Sequence, residues 1–301
     1  MVFLPPRWAL GCAPIGGLFA PVPQDAATQT VEAALTAGIT LFDTAPHYGA
    51  GLSERALGCA LAGRDRDSFR IATKVGRRIV DGSGDAVAPG ACGARTVGDL
   101  SRDGVLRSLE SSLLRLGVDR VDLLYLHDPV NVDDALENAW PALQSLRAEG
   151  TVGAIGVGMN YSESLARFAL EADPDVLMVA GRLTLLDRSA LDQLMPPARD
   201  TGVGIVAAGV FNSGVLADPH DGAHFDYQPA SEQILERAQA MDRACVRHGV
   251  RLVDAAVHFP LRFPEVSTVV VGARSPDEVF SFAASASVSI SDELWGELDD
   301  I

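Results

Sequence analysis

Four side chains in this sequence could do chemistry together: Asp43 and Tyr48 in "FDTAPHYG", Lys74 in "IATKVG" and His127 in "LYLHDP". Lys74 is the only lysine; the other 23 of the 24 Lys and Arg residues are arginine. The two cations exchange freely on a wet surface but not in a tight site. An ammonium is a compact point charge whose pKa moves on burial, whereas a guanidinium is a broad fork that hardly ever deprotonates. A free phenol loses its proton near pH ~10. A buried ammonium beside it favours phenolate and lowers that value. A carboxylate beside the ammonium offsets the cost of burying its charge. The expected result is a tyrosine that exchanges a proton near neutral pH, as general acid–base catalysis requires, with His127 hydrogen-bonding and orienting a substrate oxygen. Singly, Asp43 reads as a loop hydrogen-bonder, Tyr48 as a packing residue and His127 as a half-buried histidine. Their joint placement is what argues for a site.

That placement follows from the elements around them. Apolar, β-branched runs recur at 7–13, 38–45, 70–76, 120–128, 152–158, 175–181, 202–209 and 266–273. Such runs read as strands of a parallel sheet covered on both faces. Helical periods lie between them, at 25–37, 53–62, 101–117, 133–150, 162–172, 188–199, 231–248 and 276–285. Ser101 and Gly117 fit the cap and stop of one helix, Asp133 and Gly150 those of another. Pro141 lies inside the latter and implies a kink or a late start. Eight strands alternating with eight helices give an α/β fold, a (β/α)8 TIM barrel, as one domain over 1–301. Barrels place chemistry at the C-terminal ends of their strands. There, strands two, three and four end at Asp43, Lys74 and His127. The long connections 79–100 and 217–230, after strands three and seven, lie on the same rim and read as functional lids or disordered segments, of no legible conformation. A doubly wound dinucleotide-binding sheet is disfavoured, because "GAIGVG" has the wrong glycine spacing.

Composition narrows the partners. The chain is 48% hydrophobic and 21% charged, with a formal net charge of −16. An acidic surface repels nucleic-acid phosphates and anionic membranes. Neither partner is expected. "MVFLPPRWAL" lacks a leader pattern, no apolar run is long enough for a membrane helix, and four scattered cysteines suggest reduced thiols, so a cytoplasmic location is expected. Cys and His residues show no metal spacing, and no metal is expected.

At these residues the chain resembles an aldo-keto reductase over almost its whole length. The matching segments are "GITLFDTAPHYGAGLSERALG", "IATKVG", "DLLYLHDP", "IGVGMN" and "VVVGARSPDEV", in order. The resemblance implies that Asp43, Tyr48, Lys74 and His127 form a catalytic tetrad and that Asn160 meets a nicotinamide carboxamide. It implies further that Gly209, Val210, Phe211, Asn212, Ser213 and Gly214 line a pyrophosphate. Gly272, Ala273, Arg274 and Ser275 would hold the adenosine phosphate end. Many members place an arginine in the last helix to meet an NADP 2′-phosphate; here Glu278 stands there. The reading therefore leans to NAD, with Arg274 keeping NADP as the alternative. "VAGRLTLLDRSAL" and "AAGVFNSGVL" are similar to the branch that oxidises aldoses such as L-fucose, or pyridoxal, to lactones. The expected partner is a small carbonyl or sugar substrate, and the chain a monomer or small homo-oligomer. The alternatives are an NADPH-dependent aldehyde or ketone reductase and a non-catalytic nicotinamide-binding subunit.

Overall fold

The computed structural model describes residues 5–18 and 20–301. Residues 1–4, part of the segment read for a leader, lie outside these. Eight parallel strands close into a barrel: β1 (Trp8–Gly11), β2 (Leu41–Asp43), β3 (Arg70–Val75), β4 (Val121–His127), β5 (Val152–Met159), β6 (Val176–Ala180), β7 (Gly204–Ala208) and β8 (Val266–Gly272). Spatial order follows chain order, and β8 pairs with β1 to close the ring. Each expected run contains one of these strands, except that β5 extends one residue beyond 152–158.

Side chains alternate between two apolar layers. Ala9, Leu41, Ala72, Leu123, Tyr125, Ala154, Val176, Met178, Val206 and Val270 fill the barrel interior. Their neighbours Leu10, Phe42, Ile71, Leu124, Ile155, Leu177, Ile205 and Val269 face the surrounding helices. Burial on both faces explains why the strands read as continuous apolar runs. Moving two residues along a strand returns to the same face. The inward set therefore continues from Leu41 to Asp43, from Ala72 to Lys74 and from Tyr125 to His127. The interior is apolar below and ionisable at its top.

The helices largely follow the expected plan. Helix α1 is Gln24–Thr36, α2 is Leu52–Leu61 and α3 is Arg102–Leu116. Ser101 caps α3 by accepting from the Gly104 N–H, and left-handed Gly117 ends it. A buried ion pair fastens this layer: Glu54 in α2 accepts from Arg115 in α3 at 2.6 Å and from Thr73 in β3 at 2.7 Å.

Four readings need correction. The helix read at 133–150 is capped by Asn131 rather than Asp133, and runs through a π-turn, Ala135–Ala139, into Trp140–Ala148. Pro141 has no N–H for the carbonyl four residues back, and the wide turn absorbs the misfit. The segment 188–199 is two short helices, Ala190–Gln193 and Met195–Thr201, because Pro196 and Pro197 break the bonding between them. Two helices that the periodicity did not suggest are present, Leu252–His258 and Asp292–Asp300. The long connections are partly ordered by antiparallel hairpins: Arg77–Val80 with Arg95–Gly98, and His224–Phe225 with Gln228–Pro229. These strands are short and mostly not buried, so no apolar alternation betrays them.

Candidate active site

Asp43 ends β2 and Lys74 lies one residue from the end of β3, 3% and 1% exposed. The Lys74 Nζ donates to Asp43 Oδ1 at 2.7 Å and to the Thr44 carbonyl at 3.0 Å. The ammonium also sits 4.8 Å from the centre of the Tyr48 ring. Tyr48 hangs on the turn after β2, which is tied down in several places. Its N–H donates to the Ala45 carbonyl at 3.1 Å and its carbonyl accepts from Ser53 N–H at 3.3 Å. Ser53 Oγ in turn donates to the Cys12 carbonyl at 2.7 Å. Gly49 is indispensable there: its φ is +61°, and a Cβ would lie 2.1 Å from the Gly16 carbonyl oxygen. His127 ends β4, buried, with its ring edge-on to Tyr48 at 5.8 Å. The four side chains named from the sequence thus meet at one rim.

The electrostatics differ from the expectation in one respect. Burial pushes the Tyr48 phenol up to about 12, and the pull of Lys74 in the other direction does not overcome it. The phenol is protonated at neutral pH in the free protein, contrary to the reading of a tyrosine poised near neutrality. Burial opposes the Lys74 ammonium as well, yet Asp43 and Tyr48 outweigh it and hold Lys74 above its ordinary value. Burial also raises Asp43, with Lys74 acting against the rise. His127 is held well below its ordinary value by burial, then by Lys74, Arg77 and His47, so its imidazole is neutral. Its Nδ1 is buried without a partner among the described residues.

Several residues at the mouth had no role in the tetrad reading. His47 stands edge-on to His127 at 5.9 Å, and its Nδ1 lies 2.6 Å from Thr96 Oγ1 on the hairpin. Asp128 pairs with Arg77 at 3.3 Å and approaches His127 Nε2 at 3.6 Å. The motif "LHDP" displayed Asp128, but nothing in it showed which way the carboxylate turns. In the second long loop, Tyr227 lies within electrostatic reach of Tyr48 and Asp128. His220 instead bonds the Asp218 carbonyl in an exposed turn, and His224 is exposed. Cys12 is buried, with burial raising its thiol far above the ordinary value, so it is inert.

The residues read for a dinucleotide stand at or just beyond the ends of β5, β7 and β8, on the same rim. Asn160 follows β5, and its carbonyl accepts from Arg182 Nε at 3.1 Å. In the turn after β7, Gly209, Asn212 and Ser213 have φ of 62°, 45° and 62°. Asn212 Nδ2 donates to the Gly181 carbonyl at 3.0 Å, while its Oδ1 is buried with no partner among the described residues. Ser213 Oγ accepts from Tyr227 N–H at 3.0 Å. Val210 is buried, Phe211 packs on the core, and Gly214 has φ 111°. At the end of β8, Gly272 pairs with Gly11 and Ala273 is buried. Ser275 caps the ten-residue helix Pro276–Ser285 by accepting from the Glu278 N–H. Glu278 turns back and accepts from Arg274, from its N–H at 2.9 Å and its Nε at 3.3 Å. An orphaned buried amide oxygen, left-handed backbone and a capped helix N-terminus on one rim fit a dinucleotide that brings donors and phosphates.

A closed parallel barrel with its ionisable groups gathered at the C-terminal rim is the architecture of barrel enzymes. The chain matches the aldo/keto reductase family over residues 8–301. It is 41% identical to a D-threo-aldose 1-dehydrogenase from a Pseudomonas species, over 97% of this chain and 93% of that one. It is 38% identical to a pyridoxal 4-dehydrogenase from Microbacterium luteolum, over 96% and 92%. The fold is similar to that of a glycerol dehydrogenase from Gluconobacter oxydans, with a TM-score of 0.78 and 26% identity over 99% of this chain and 94% of that one. The chain belongs to the aldo/keto reductase family, and it is an NAD(P)-dependent oxidoreductase. Among the described residues no helix is long and apolar enough to cross a membrane.

Proposed function

We propose that this chain, a single barrel over 1–301 acting as a monomer or small homo-oligomer, oxidises the anomeric hydroxyl of an aldose such as L-fucose to a lactone, with NAD. The observation that carries the reading is the buried Lys74–Asp43 pair, 2.7 Å apart, beneath the Tyr48 ring. The nicotinamide, when bound, accepts the hydride that leaves the anomeric carbon. Tyr48 takes the hydroxyl proton in that direction and returns it in reduction. Lys74 stabilises the phenolate that this exchange requires, and Asp43 compensates the ammonium. His127, neutral and with its proton on Nε2, donates to the substrate oxygen and fixes its position. Asn160 would hold the carboxamide, Gly209 to Gly214 the pyrophosphate, and Gly272 to Ser275 the adenosine end. Glu278 favours NAD: its carboxylate would repel a 2′-phosphate and occupies the Arg274 guanidinium that could otherwise serve one.

The choice of an aldose rests on the 41% identity to an aldose dehydrogenase, with pyridoxal the alternative suggested at 38%. One observation favours a second reading, an NADPH-dependent aldehyde reductase: a phenol held protonated is a ready proton donor. Initial rates with L-fucose or pyridoxal plus NAD, against a nitrobenzaldehyde plus NADPH, separate these. Tyr48→Phe should lower the preferred rate about 10²–10⁴-fold, while NAD still quenches the protein's fluorescence. Retained turnover in Tyr48→Phe would remove Tyr48 from the chemistry.

A further inference from the structure

We propose that Asp128 determines specificity by accepting a hydrogen bond from the hydroxyl next to the reacting one on a polyhydroxylated substrate. The inference rests on the aldose reading above and deepens it.

The residue's conformation is the first observation. Asp128 N–H donates to the Gly158 carbonyl at 3.0 Å, so the β4–β5 ladder still holds its backbone. Its φ is then 43°, a left-handed conformation that an L residue adopts at a cost. Such costs persist where the surroundings enforce them, commonly at functional sites. An aspartate in a turn ordinarily accepts from backbone N–H groups a few residues on. Here the next residue is Pro129, which has no N–H, and no backbone donor bonds the Asp128 carboxylate among the described residues. Capping therefore does not explain it.

The carboxylate's contacts are the second observation. Asp128 Oδ2 faces Arg77 Nη2 at 3.3 Å and His127 Nε2 at 3.6 Å, and the side chain is 35% exposed at the mouth. Oδ1 has no partner among the described residues. Arg77 steadies the charge from the hairpin, and Tyr227 in the other loop lies within electrostatic reach of it. A strong acceptor thus stands just beyond the nitrogen that meets the substrate oxygen. A sugar carries a second hydroxyl on the adjoining carbon, and a simple aldehyde or alcohol does not. A site built to bond a hydroxyl rejects the analogue lacking it, because its own polar group is then left unpaired.

The test is a cycle between residue and hydroxyl. L-fucose and 2-deoxy-L-fucose are compared, with NAD, in wild type, Asp128→Gly and Asp128→Asn. Glycine and asparagine both tolerate the left-handed backbone, and melting temperatures verify that each variant folds. Wild type should prefer L-fucose by about 30-fold in kcat/KM, as expected of a hydrogen bond to a charged group. Asp128→Gly should cut that preference below about 3-fold, and Asp128→Asn should fall between. A preference that persists in Asp128→Gly, or was absent in wild type, overturns the inference while leaving aldose oxidation standing. Wild type that oxidises neither sugar overturns the aldose reading and this inference with it.

Discussion

Replacing Lys74 with methionine separates what the buried ion pair does for stability from what it does for the phenol. Both partners are almost fully buried and 2.7 Å apart. Methionine keeps the volume and removes the charge, leaving Asp43 Oδ1 without its donor; Oδ2 is already buried and has no partner among the described residues. Breaking a buried pair by removing one partner costs about 3–5 kcal/mol. For a chain of 301 residues this lowers the melting temperature by about 5–8 °C. The cost should depend on pH in a definite direction. Burial already raises the Asp43 pKa, and losing Lys74 raises it further. A carboxyl whose folded pKa exceeds its unfolded value supports folding below the unfolded value and ceases to as pH rises through the folded one. The deficit should therefore be smaller at pH 5 than at pH 8. The double variant Asp43→Leu/Lys74→Met should recover to within about 1 kcal/mol of wild type, since exchanging both partners for apolar groups is often neutral. Its turnover should stay about 10²-fold or more below wild type, because the phenol has lost the one cation that lowers its pKa. Thermal melts at two pH values and initial rates on the three proteins make the assay. A double variant as unstable as the single would show that an uncompensated charge is not the cost. A double variant that turns over near the wild-type rate would refute the coupling of Lys74 to Tyr48.

Two further predictions concern Tyr48 and Glu278. With the Tyr48 phenol pushed up to about 12 in the free protein, the phenolate fraction grows tenfold per pH unit below that value. Oxidation should rise across pH 6–9 and reduction should stay level, and a matched pair of pH–rate profiles checks both; the reverse ordering would count against Tyr48 as the proton carrier. Glu278→Gln removes the carboxylate that holds Arg274 at 3.3 Å, and should shift the ratio of kcat/KM for NAD over NADP toward NADP by about 10-fold or more, a change of roughly 1.4 kcal/mol; an unmoved ratio means Glu278 does not select the cofactor.

What the sequence made legible, and what it hid, divides along a physical line. Strand runs, the inward alternation and chain-order pairing are local patterns. They sufficed to bring Asp43, Lys74 and His127 to one rim, with Tyr48 on the turn between. Ser101 and Gly117 were readable because each cap is settled by residues a few positions away. The π-turn before Pro141 was not, since a proline shows that the bonding must adjust but not how; nor were the hairpins in the long connections, whose short and mostly unburied strands carry no apolar alternation. The sign of the Tyr48 shift was hidden for a related reason. Residue types reveal that a cation and a phenol adjoin, but the outcome is a contest between that attraction and the loss of water, and only the enclosed rim shows that the loss of water wins. Glu278 was placed from the sequence opposite a phosphate; that it already holds Arg274 was not visible there. Asp128 is the sharpest case. Its neighbours "LHDP" display an acid beside an imidazole, yet an extended backbone would send successive side chains to opposite faces and carry the carboxylate away from the site. The φ of 43° brings it back to 3.6 Å from His127 Nε2. A backbone conformation that residue type merely tolerates thus decides whether that carboxylate belongs to the site at all.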